Sequence, residues 1–180
     1  MAKTLIATDT SDGSDASLGF TSGIDDTYDV YEFHFTNIHP ETDTDILGFQ
    51  VNADGGSGFN ETITSTYFTA YNTESDSGAD LFYDTGYDQA EGDKVYQVLA
   101  WGVGNDNDES ASGILTLYGP SSDTYVKHFM ATVSTTYRTG YVFNNHIAGY
   151  INTTTAITQI DFKFASDEIQ GGEIKMFGVS

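Results

Sequence analysis

Apolar and polar positions alternate along most of the chain. In YDVYEFHFTNI, Tyr31, Phe33 and Phe35 point one way and Glu32, His34 and Thr36 the other, the two-residue period of a half-buried strand. Pro40 and the ETDTD run end it. ILGFQVN puts Leu47, Phe49 and Val51 on one face; after the DGGSG loop, ITSTYFTAY predicts a strand rich in β-branched and aromatic residues. LFYD is a short strand between the loops NTESDSGAD and TGYDQAEGD. KVYQVLAWGVG fits two periods: Val95, Val98 and Leu99 suit a helix, whereas Val95, Leu99 and Trp101 suit a strand, so one short helix stays open there. After NDNDESASG come a strand from Ile114 to Tyr118 and the turn GPSSD. TYVKHFMATVSTTY sets Tyr125, Lys127, Phe129, Ala131 and Val133 against Val126, His128 and Met130; apolar side chains on both faces predict a central strand. Tyr141 to Ile151 is another, and TQIDFKF and GEIKMFGV are two late strands joined by the turn SDEIQGG. At the front, Lys3 to Thr8 is a short strand or pairing arm, DTSDGSD a turn, and Ala16 to Thr21 a short strand.

About ten short strands with at most one short helix predict an all-β fold: a two-sheet antiparallel β-sandwich, jelly-roll-like or a related Greek key. No helical pattern is long enough for a βαβ unit and no fixed period repeats. The expected organisation is an N-terminal arm and turn over 1–15, then one sandwich domain over 16–180. The 12 Tyr and 12 Phe reinforce the strand reading. The absence of cysteine excludes disulfides, a thiolate zinc site and a Cys nucleophile. The first residues lack the apolar segment of a signal peptide, and no apolar run is long enough for a membrane helix.

Charge changes the picture most. With 27 acidic against 6 basic residues, the net charge is −21. Such a surface repels nucleic acid and anionic membrane, stays soluble, and suits a salty medium that screens repulsion. The acidic loops DTSDGSD, ETDTD and NDNDES offer oxygen ligands without EF-hand spacing; Asp106, Asp108 and Glu109 are the candidates for calcium. His34, His39, His128 and His146 match no metal spacing, although His34 and His128 sit on strands that can approach each other. There is no GxSxG elbow and no glycine-rich phosphate loop, so no catalytic residue is assigned and an enzyme is not expected. Tyr67, Tyr71, Tyr83, Tyr87 and Trp101 fall in or beside loops and edges, where exposed rings stack on sugars or pack under loops. The sequons at Asn60 and Asn152 carry no weight without a secretory signal.

The blocks FTSGIDDTYDVYEFHFTNIHPETD, FQVNADGGSGFNETITSTYFTAY, LTLYGPSSDTYVKHFMATV and AGYINTTTAITQIDFKFASDEIQGGEIKMFGV resemble small β-sandwich virion proteins of tailed bacteriophages of marine bacteria, over about residues 16 to 180. The resemblance implies a non-enzymatic structural protein on the particle surface, made in the host bacterial cytoplasm. It decorates the capsid or forms a capsid-borne fibre, or alternatively serves as a tail-fibre or tail-tip adhesin for the host. A free carbohydrate-binding module or glycan-active enzyme is the alternative of another class. The implied partners are other virion proteins and a host surface glycan, with no nucleic acid and no membrane insertion. A homo-oligomer, for instance a trimer on a three-fold position, fits that setting. Lys3, Thr4, Leu5 and Ile6 are the expected anchor, adding a strand to a neighbour. The loop tips Asp54 to Gly58 and Thr73 to Ala79 are the expected contact surface.

Overall fold

The computed structural model describes residues 2–92 and 96–180. It contains twelve strands: β1 (Lys3–Thr10), β2 (Leu18–Phe20), β3 (Val30–Pro40), β4 (Asp45–Ala53), β5 (Ile63–Thr73), β6 (Ala79–Tyr83), β7 (Gln97–Val103), β8 (Ala111–Tyr118), β9 (Lys127–Tyr137), β10 (Tyr141–Ile151), β11 (Ile157–Phe164) and β12 (Ile169–Val179). Eight form one sheet in the order β1-β12-β3-β8-β9-β10-β5-β6, and four form a second, β2-β11-β4-β7. All pairings are antiparallel. The all-β sandwich is therefore as the alternation predicts, with twelve strands rather than about ten. No helix occurs among the described residues: the ambiguous KVYQVLAWGVG is strand β7 from Gln97, while Lys94 and Val95 lie outside the described residues.

Two expectations change at the chain's ends. Residues 3–10 do not stand apart as an arm. They run along β12 from Lys3 opposite Val179 to Thr10 opposite Glu173, so Lys3, Thr4, Leu5 and Ile6 already belong to the chain's own sheet, with β1's outer edge left open. The two last strands are not a hairpin either. β11 lies in the smaller sheet and β12 in the larger, so residues 165–168 cross between sheets. Gly171 and Gly172, read from sequence as part of a turn, form an irregularity inside β12. Gly172 has φ 103°, and a Cβ there would meet the Asn37 carbonyl oxygen at 2.5 Å. A glycine is needed because the bulge brings two backbones together.

The inner faces meet in an aromatic and aliphatic core. Phe162 of β11 is fully buried, and its ring centroid lies 5.7 Å from Phe33, 5.2 Å from Phe35 and 6.4 Å from Phe49. Phe49 and Phe129 meet edge-on at 5.1 Å, joining the two sheets. Lys127 is an unusual neighbour: fully buried, it donates from Nζ to the carbonyls of Ser122 (2.6 Å), Tyr125 (3.1 Å) and Thr153 (3.3 Å). It thereby ties the β8–β9 and β10–β11 connections together. Burial pushes its ammonium below the usual lysine range, with the charges of Asp123 and Glu61 opposing.

The two outer faces are treated differently. That of the smaller sheet is partly covered: Gln50 is fully buried and donates to the Glu61 carbonyl at 3.0 Å, and the Tyr96 hydroxyl donates to Asp161 at 2.6 Å, with Lys163 4.4 Å above the Tyr96 ring, while a groove of about 540 Å³ stays open between Ile46, Val98 and Lys163. Burial raises the Asp161 carboxyl above its ordinary range; hydrogen bonds from Tyr96 and Ser17 and the Lys163 charge act against it. A raised folded-state value means the folded chain holds this proton more tightly than the unfolded one. The contribution is thus fully present below the unfolded value and lost as pH rises through the raised one. Asp161→Asn, which keeps an oxygen for Tyr96, abolishes that loss. The melting temperature of the variant relative to the parent should therefore climb between about pH 3 and about pH 7. A difference that falls over this interval contradicts the assignment.

Candidate functional site

The outer face of the eight-stranded sheet is open. Register places Thr8, Lys175, His34, Ile114, Thr132, His146, Phe68 and Tyr83 on one continuous rung across all eight strands. The adjacent rung carries Leu5, Phe177, Glu32, Thr116, Met130, Ala148 and Thr66. Large apolar side chains stand exposed along these and neighbouring rungs: Leu81 is 66% accessible, Met130 55% and Val142 49%, with Ile114, Tyr118 and Phe68 also exposed. A shallow groove of about 680 Å³ runs over β8, β9 and β10, between Ile114, Tyr118, Met130 and Val142, above Thr132 and Ser134.

The charge on this face is as unusual as its apolarity. Among the described residues, the acids within strands are Asp9, Glu32, Asp45, Asp80, Asp161 and Glu173, and none falls in β5, β8, β9 or β10. Asp9 turns away to accept the Gly19 amide at 2.7 Å. Asp80 pairs opposite Tyr71, on the alternate side of β6 from Leu81 and Tyr83. The acids remaining on the open face are Glu32 and Glu173. Lys3 pairs with Glu32 at 2.6 Å and Lys175 with Glu173; His34 adds a 2.7 Å contact to Glu32. A chain of charge −21 thus presents one sheet face whose strands carry two lysines, two glutamates and no net charge, with Asp88 at its β6 margin.

Four of the five aromatic candidates do come together, though not as exposed rings. Tyr67 is fully buried, and burial drives its hydroxyl far above the usual tyrosine range. It meets Tyr87 edge-on at 5.5 Å; Tyr87 stacks on Trp101 at 5.8 Å; Trp101 stacks on Phe143 at 4.4 Å; and Phe143 meets Tyr71 at 6.2 Å. Four strands cannot cover eight, and this cluster seals the overhang beyond β7. Trp101 packs among these partners and its Nε1 points to Thr69 Oγ1 at 3.5 Å, but the ring is only partly buried. With Tyr71, Phe82, Tyr137, Thr139, Tyr141 and Phe143 it lines a cleft of about 340 Å³. Tyr83 lies elsewhere, 48% exposed on the open face, with its hydroxyl donating to Asp88 at 2.5 Å.

The calcium candidates are not gathered. Asp106 and Asp108 are exposed, whereas Glu109 is buried and turns its carboxylate back onto the Asp106 amide at 3.1 Å, bracing its own loop against Gly104. His39 contacts the Glu109 carbonyl at 2.7 Å. Among the described residues no group of three or more His, Asp or Glu is placed to hold a metal ion. His34 and His128 do not meet, because β8 runs between their strands; His34 packs on Phe177 at 4.7 Å and His128 on Tyr150 at 6.2 Å. The tips Asp54 to Gly58 and Thr73 to Ala79 are turns on the surface, the second organised by the Thr73 hydroxyl, which accepts from the Ser77 and Gly78 amides.

The open face is what a residue-by-residue search for chemistry passes over. Its signal was in the sequence: four long strand segments without one carboxylate, in a chain where carboxylates fill the loops. No family model, no curated protein and no solved structure matches this chain.

Proposed function

We propose that this protein is a non-enzymatic structural protein displayed on the surface of a phage particle, with its larger sheet docked against another subunit there. The observation that carries the reading is the segregation of charge. Carboxylates crowd the loops and ends, where they keep the molecule hydrated and repel other acidic surfaces, while one broad face is neutral and studded with exposed apolar side chains. That division suits a module that is seated by one side and solvated on the others. The resemblance of the sequence blocks to virion β-sandwich proteins supplies the setting. Capsid decoration or a capsid-borne fibre is the preferred placement. The open edge of β1 is a further attachment point, since an edge strand accepts a neighbour's backbone.

The test is peptide counting by mass spectrometry on purified particles of the phage that encodes the chain. The expected result is a stoichiometry comparable to that of the major capsid protein. A copy number like that of tail-tip proteins moves the protein to the tail, and absence from the particle overturns the proposal.

A further inference from the structure

We infer that the occupant of the open face is a second copy of this chain, packed sheet to sheet about a two-fold axis. The inference rests on the reading of that face as a docking surface, but names its partner. Charge selects the partner. A basic macromolecule is drawn to the acidic loops and ends, where the field is strong, and finds nothing to hold it on a neutral face. A second copy meets the opposite constraint: with −21 on each molecule, two copies repel everywhere except where carboxylates are missing. The strands β5, β8, β9 and β10 are that place.

Shape and size agree. A two-fold interface requires one patch to carry both the projection and the recess that receives it. Met130 projects beside a groove floored by Thr132 and Ser134 on the same strand β9. β5, β9 and β10 are each 11 residues long. At about 3.3 Å per residue and about 4.8 Å between strands, these three together with the shorter β8 offer roughly 650 Å² per copy. That is roughly 1,300 Å² in all, within the range of stable protein–protein interfaces. Two twisted sheets stacked at their usual spacing of about 10 Å exclude water from such a contact.

Sedimentation of the full chain across a concentration series at low and high sodium chloride tests this. The expected result is a dimer that tightens as salt rises, because screening removes the repulsion between like-charged copies. Met130→Glu drives a carboxylate into the partner's recess and should weaken the dimer about a hundredfold, while Tyr125→Glu, in a loop, leaves it unchanged. A second measurement needs no variant. The chain has three methionines, and Met176 is fully buried. On dilution of the parent protein, the methyl resonance of Met130 should shift while that of Met176 stays. A monomer at all concentrations and salts overturns the inference. So does a dimer that persists in Met130→Glu or leaves the Met130 resonance unmoved, since it then forms through the β1 or β6 edge. A monomer that is nonetheless abundant in particles refutes only the second copy; a dimer that is absent from particles refutes only the virion placement.

Discussion

Phe162→Ala is expected to lower the unfolding free energy by about 3–5 kcal/mol, the usual loss for a buried phenylalanine. For a chain of this size that corresponds to a drop of roughly 6–20 °C in melting temperature. The site cannot collapse to refill the space. Phe33, Phe35 and Phe49 surround the ring, but the first two are held by β3 in the larger sheet and the third by β4 in the smaller. Phe68→Ala is the control. Its ring stands 41% exposed on the open face, so a monomer should lose no more than about 1 kcal/mol. Denaturant titration of both variants measures the difference; similar losses at the two positions contradict the division into a packed inner and an open outer face.

The second large effect lies at Lys127. Lys127→Met keeps the length and the apolar stem but removes three donors from three carbonyls. Each such bond to a charged group contributes about 1.5–3 kcal/mol, which would sum to far more than a typical point mutation costs. Removing the ammonium also removes its desolvation penalty, the same penalty that depresses its pKa. The expected net loss is therefore about 2–4 kcal/mol. Where a buried ion pair is replaced whole, the exchange is often neutral, because both partners go. Here the partners are backbone carbonyls, which no substitution can take away. Lys175→Met, an exposed pair with Glu173, should cost less than about 1 kcal/mol. Equal losses for the two lysines would refute the clamp.

The two residues show what a strand pattern conveys. Phe162 is legible: in TQIDFKF it falls in phase with Ile160 and Phe164, and all three are buried. Lys127 is not. It lies in phase with Phe129, Ala131 and Val133, so the alternation does put it on the inner face. What holds a charge there is a set of carbonyls from two distant connections, and no local pattern reports those. The aromatic candidates divide in the same way. Tyr67 and Trp101 stand in or beside loops in the sequence, but that position does not make a ring exposed. The overhang of a wide sheet past a narrow one drew them into the core. Met130 went the other way. Apolar residues on both faces of its strand suggest burial on both sides, yet nothing among the described residues covers the outer one.

By itself, the sequence determined the class of fold, most strand positions, the lack of cysteine chemistry and the segregation of charge between loops and strands. These follow from neighbours a few residues apart, because a strand's two-residue period and a turn's polar residues are local properties. Only the tertiary structure decided that the strands divide eight and four, that the last two strands lie in different sheets, that the N-terminal segment is a sheet edge, and which sheet face is left open. Those outcomes depend on which strands pair and on how much area each sheet has to cover the other. They are sums over contacts between residues far apart in the chain, and the same alternation is compatible with several of them.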